Sequence, residues 1–134
     1  MTAKQYLLQI RRLTFEIEEA RAEIERLYSN IKAVSYGGVP GARDNDSTLH
    51  LVQKIMKLQD VQRERVEELL EKRQKIISEI KAMPDLNVSR VLYYRYCENM
   101  KFPTIAQKMF YSKQRVYQLH VDGLQYFDRL IRAN

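Results

Sequence analysis

Apolar or small side chains recur at Ala3, Tyr6, Ile10, Leu13, Ile17, Ala20, Ile24, Leu27, Ile31 and Val34, in steps that alternate three and four. This is a heptad repeat, and Arg, Glu and Lys fill the sites between. The pattern predicts one long helix with a single narrow seam to bury against another helix. At about 1.5 Å per residue it would run roughly 50 Å.

The periodicity stops at SYGGVPGARDNDS, residues 35 to 47, which holds three of the four glycines and a proline, with Asp46 and Ser47 as candidate N-caps. A second long helix is predicted from about 48 to 82. Two helices of nearly matched length across one turn-rich connection predict an antiparallel hairpin. The second helix is apolar along two lines. Val52, Ile55, Val66, Leu69, Ile76, Ile80 and Met83 form one, and Leu51, Leu58, Leu70 and Ile77 lie beside it. A single partner helix does not cover both, so self-association into a dimer or higher oligomer is expected, with Ile10, Ile17, Ile24, Leu58, Leu70 and Ile77 as the oligomerisation residues. The alternative is that the remainder of the chain folds back over the second line.

Met83-Pro84-Asp85 ends the second helix, because proline disfavours the helical conformation in the residue before it and has no donor of its own. Val88, Val91, Leu92, Tyr96 and Cys97 then mark one face of a helix over 86–98, which NMKFP breaks. A short helix follows at 103–109, opened by Pro103. Ser112 reads as an N-cap for a helix from Lys113 to Leu130, with Val116, Leu119, Leu124, Phe127 and Leu130 facing inward. The expected fold is all-α: a long antiparallel helical hairpin (coiled coil) over 1–83, followed over 84–134 by a small C-terminal helix-turn-helix bundle.

Charge sharpens this division. The 134 residues carry 23 basic and 17 acidic side chains, net +6, with a pI near 9.5. From 85 to 134 there are eight basic residues against four acidic, and between Glu98 and Asp122 there is no acid at all, while Lys101, Lys108, Lys113 and Arg115 fall inside that window. The excess positive charge at this end calls for an anionic partner.

Other chemistry is lacking. Cys97 is the only cysteine and the histidines are His50 and His120, which leaves no intrachain disulfide and no zinc-ligand spacing. No phosphate-binding loop, dinucleotide fingerprint or nucleophile elbow occurs, and the paired acids Glu18/Glu19 and Glu67/Glu68 sit among lysines and arginines. No enzyme activity, cofactor or metal is expected. Charges interrupt the first twenty residues every few positions and no apolar run reaches membrane-spanning length, so a cytoplasmic location is expected.

If Val116 and Leu119 face inward, Lys113, Gln114, Tyr117 and Gln118 face outward near the start of their helix, the end that enters a DNA major groove. Glutamine can donate to and accept from adenine, lysine can reach guanine O6 and N7, and tyrosine can meet a thymine methyl. These four are the candidate base-reading residues. Thr104, Lys108, Ser112 and Arg115 are the candidate phosphate-binding residues, which fix register and dominate affinity.

The stretch SRVLYYRYCENMKFPTIAQKMFYSKQRVYQLHVDGLQYF resembles region 4 of bacterial sigma factors, in which a V-L-x-x-R-Y helix, a T-x-x-x-I-A-like helix and an S-x-x-x-V-x-x-L/I recognition helix follow at similar distances. The layout from MTAKQYLLQIRRL through the glycine-containing loop and MPD is similar to a family of small proteins of phages and prophages of Gram-positive bacteria, related to ArpU- and RinA-type late-gene transcription regulators. The resemblance implies a sequence-specific regulator of phage genes that binds double-stranded DNA in the bacterial cytoplasm. Two rival roles remain: an interaction module that contacts host RNA polymerase or another protein, and a coiled-coil structural or packaging accessory that binds DNA nonspecifically. The turn departs from the pattern by carrying Phe110 where glycine is usual, so either Phe110 takes a positive φ or the turn differs.

Overall fold

The computed structural model describes residues 1–35 and 45–133, and these are all-helical. The helices are α1 (Ala3–Ser35), α2 (Asn45–Lys81), α3 (Leu86–Leu92), α4 (Phe102–Met109) and α5 (Lys113–Ala133), with a π-helical turn over Tyr93–Cys97 after α3. The turn expected over 35–47 lies largely outside the described residues, as do the side chains of Val34, Asp46 and Ser47. Because α2 opens at Asn45, Asp46 and Ser47 stand inside its first turn rather than ahead of it. None of the helices is long and apolar enough, among the described residues, to cross a membrane.

Packing divides the chain into two units, Met1–Thr14 with Lys72–Asn134, and Phe15–Glu71. The boundary expected at 83/84 therefore falls inside the first unit. Pro84 stops α2, but the side chains on either side of it share a core. Ser89 Oγ donates to the carbonyl of Ile80 at 2.7 Å, the Tyr6 and Phe127 rings are 6.0 Å apart, and the Ala3 amide donates to Asp128 Oδ1 at 3.0 Å.

Within that first unit, α1 and α2 run antiparallel: Tyr6 Oη donates to Glu79 Oε1, and Arg73 donates to Thr14 Oγ1 at 3.2 Å. Burial, then the bond to Glu79, pushes the Tyr6 phenol well above its usual range. Leu7, Ile10, Leu13, Ile76, Ile80 and Met83 are buried here, together with Val88, Val91 and Leu92 of α3. Asp85 caps α3, its carboxylate accepting from the amides of Asn87 and Val88.

The break after this helix has a specific cause. Glu98 N–H bonds the Tyr93 carbonyl at 3.2 Å, five residues back, which makes the turn π-helical. Asn99 then enters the left-handed region at φ 56°, and Met100 N–H reaches back to Tyr94 at 2.9 Å, closing the helix end.

In the second unit, Ile17, Ala20 and Leu27 of α1 and Ile55, Val66 and Leu69 of α2 are buried, and Ile24, Ile31 and Val52 are half-buried. Each full burial of such a side chain contributes about 1.5–3 kcal/mol relative to exposure. Gln59 interrupts this apolar line and is itself buried, donating to the Ile24 carbonyl at 3.4 Å. A buried polar residue in a seam penalises shifted registers, where it loses its acceptor.

The residues expected to mediate oligomerisation divide accordingly. Ile10 and Ile17 are buried within the single chain and offer no surface to a second copy. Ile24, Leu70 and Ile77 are half-buried, and Leu58 is exposed.

Candidate nucleic-acid interface

α4 ends and α5 begins around one strained residue. Phe110 has φ 59° and ψ 38°, and its amide bonds the Ala106 and Gln107 carbonyls, while Tyr111 N–H reaches Ala106 at 3.0 Å. This left-handed closure is the one glycine normally supplies. Of the two expected possibilities, the phenylalanine adopts the positive φ, and it is 94% exposed. Ser112 then starts α5, its Oγ accepting from Arg115 N–H at 3.1 Å and its carbonyl from Val116 N–H.

Val116 and Leu119 are buried, with Ile105 and Ala106 of α4. Lys113, Gln114 and Gln118 are exposed on the first two turns of α5, and Arg115 and Ser112 are exposed beside them. These side chains share the opening of one helix, as the periodicity predicts.

Three neighbours qualify this picture. The Tyr117 ring packs 4.7 Å from that of Phe102, so the ring is only half free. Gln118 Nε2 donates to Asp122 Oδ1 at 3.1 Å, which leaves its other amide hydrogen and its oxygen for a ligand. The Arg115 guanidinium lies 6.0 Å from the Tyr111 ring centroid.

Thr104 is exposed in the first turn of α4. Lys108 is grouped differently from the α5 residues: its ammonium stands 4.8 Å from the Tyr94 ring centroid and shares a depression with Lys81 and Arg90.

Beneath this face lies a polar contact that the sequence pattern did not disclose. His120 Nε2 and Tyr96 Oη are 2.8 Å apart, and the two rings stack, with Phe102 edge-on to His120 at 5.0 Å. Burial, and then the charges of Arg95 and Lys4, push His120 down to about 4, so it is neutral at physiological pH. Burial raises the Tyr96 phenol. Arg95 stacks over Phe102 at 4.5 Å and donates to the Met100 carbonyl, which ties the π turn to the start of α4.

The charge of the unit is larger than the last fifty residues suggest. Residues 1–14 add Lys4, Arg11 and Arg12 without an acid, and 72–83 add four basic residues against Glu79, so the unit carries fifteen basic and five acidic residues, net +10. Residues 15–71 carry eight basic and twelve acidic, net −4. Cys97 is half-buried, and burial raises its thiol to about 11. No protein-family model matches the chain, and neither does any curated protein or solved structure.

Proposed function

We propose that the protein is a sequence-specific DNA-binding regulator of transcription in which α4 and α5 act as a helix-turn-helix. The observation that carries this reading is the opening of α5. Lys113, Gln114 and Gln118 stand exposed along a helix whose Val116 and Leu119 are buried, in a unit of net charge +10. A cationic surface gathers the polyanion and slides along it, and the glutamine amides and the lysine supply the paired donors and acceptors that read base edges. Arg115, Ser112 and Thr104 hold phosphates at the margins of the same face, and Lys108 reaches the backbone from α4.

Two copies joined through α2 suit two half-sites. Leu51 and Leu58, seven residues apart, and Val61 are exposed along the helix at 45%, 47% and 60%. The likeness to phage regulators extends this reading to control of phage genes, late genes among them, inside a bacterial host. Selection of bound sequences from a random duplex pool tests it: enrichment of a defined, two-part site supports the reading, and uniform recovery of all sequences overturns it.

A second reading is favoured by Phe110. A bulky apolar side chain held almost wholly in solvent, on a backbone conformation that costs energy, fits an anchor for a protein partner such as host RNA polymerase. Pull-down of purified polymerase by the parent protein, and its loss in Phe110→Ala, distinguishes this from DNA binding alone.

A further inference from the structure

The unit formed by residues 1–14 and 72–134 contains a depression of about 350 Å³ lined by Lys81, Arg90, Tyr93, Tyr94, Glu98 and Lys108, among others. Three cations meet one carboxylate there. Lys81 Nζ lies 5.5 Å from the Tyr93 ring centroid and Lys108 Nζ 4.8 Å from that of Tyr94, so each ammonium is held in place by a ring rather than by an acid. Among the described residues, Lys81, Arg90 and Lys108 form no ion pair.

The backbone explains why two consecutive tyrosines share this wall. The five-residue bond from Glu98 N–H to the Tyr93 carbonyl widens the turn, and such π turns recur where a helix builds a site. The neighbouring Ser89 hydroxyl is committed to the Ile80 carbonyl and leaves the anion-facing role to the cations.

We propose that this depression binds a small phosphorylated ligand, with the phosphate among Lys81, Arg90 and Lys108 and the tyrosine rings against its organic part. Three positive side chains and one carboxylate leave a balance of two positive charges, which matches a phosphate monoester carrying about −1.5 to −2 at neutral pH. Arginine offers a planar fork that meets two phosphate oxygens at once. The volume falls at the lower end of small-molecule sites, about 300–1,000 Å³. A concave site of this size suits a group that enters it, whereas a duplex presents its phosphates on a convex surface.

The proposal shares Lys108 with the backbone contacts proposed for α4 but does not depend on base reading by α5, and its test uses AMP, with adenosine as the control lacking phosphate. In ¹H–¹⁵N spectra of the full chain, AMP should shift the amides around 81, 89–94, 98 and 108, and adenosine should not. Arg90→Glu and Lys81→Glu should each weaken AMP binding by at least about tenfold, the scale of one charge-assisted hydrogen bond. Arg132→Glu makes the same charge change at an exposed position in the last turn of α5 and should leave the affinity within about twofold, as expected for a screened surface charge.

Equal losses in Arg90→Glu and Arg132→Glu would reduce the effect to diffuse attraction and overturn the proposal. So would AMP shifts confined to the opening of α5, or no shifts at millimolar AMP. If a short duplex shifts the amides of the depression and AMP does not, the site belongs to the DNA backbone and the small-ligand assignment is lost.

Discussion

Gly123 of α5 lies against Leu92 of α3 so closely that a Cβ on the glycine would sit 2.8 Å from Leu92 Cδ1 and 2.9 Å from Cδ2 and Cγ. Leu92 is fully buried and has no free direction in which to swing. Overpacking of this kind costs about 1–3 kcal/mol, and the gain in helix propensity from Gly to Ala returns at most about 1 kcal/mol. Gly123→Ala is therefore expected to lower the melting temperature, and Gly123→Val to lower it further. A rise in Tm for the alanine variant would show that α3 and α5 can separate without loss.

Phe110→Gly should act in the opposite direction. The side chain is 94% exposed, so little burial is lost, and glycine adopts φ 59° without the steric penalty of about 1–2 kcal/mol that other residues bear. Greater freedom of the unfolded chain takes back part of this gain, leaving about 0.5–1 kcal/mol of added stability. Chemical denaturation measures it, and a variant less stable than the parent would mean that the ring contributes more than its exposure indicates.

Stability should depend on pH through His120. Its folded value is about 4 against an unfolded value of about 6.5, so between these limits the unfolded chain binds a proton that the folded chain refuses. Stability is lost as pH falls from about 6.5 to about 4, and this contribution is level above and below that window. Thermal melts across the range should show a decline that His120→Gln flattens. An unchanged slope in the variant would assign the decline to other groups.

Gln118→Ala and Arg115→Ala should impair DNA binding in different ways. Loss of the amide should cost about 1–3 kcal/mol at the selected site and relax preference at one base pair. Loss of the guanidinium should weaken all duplexes alike and lower the slope of log K against log salt by about one. Binding curves on selected and scrambled duplexes at several salt concentrations separate the two, and parental behaviour in both variants would remove α5 as the reading element.

Leu51→Lys with Leu58→Lys should abolish self-association and change stability little, because both side chains are about half exposed. Ile17→Asp should instead cost several kcal/mol, by placing a charge at a position 2% exposed. Sedimentation equilibrium and melting curves report both effects, and a parent protein that is monomeric at high concentration would exclude the α2 contact.

Local chemistry made much of this protein legible from its sequence. The heptad spacing marked most of the buried face of α1, the first of the two apolar lines marked that of α2, Ser112 announced the start of α5, and Val116 and Leu119 predicted which side of α5 is exposed. Phe110 at a position where glycine is usual left two outcomes open, a positive φ or a different turn, and the backbone takes the first. Each of these depends on backbone geometry within a few residues.

Packing between distant segments was a different matter. Nothing in the periodicity of residues 1–14 says that Tyr6 meets Phe127, or that the unit therefore gathers a net charge of +10. Leu7 falls outside the heptad line and is nonetheless fully buried, and Ile10 is buried within the single chain rather than offered to a second copy. His120 turns inward to Tyr96, and Lys108 is set over Tyr94 beside Lys81 and Arg90. Periodicity specifies which stripe of a helix avoids water. It does not specify which other surface covers that stripe, because that choice depends on shape and volume complementarity between segments far apart in the chain.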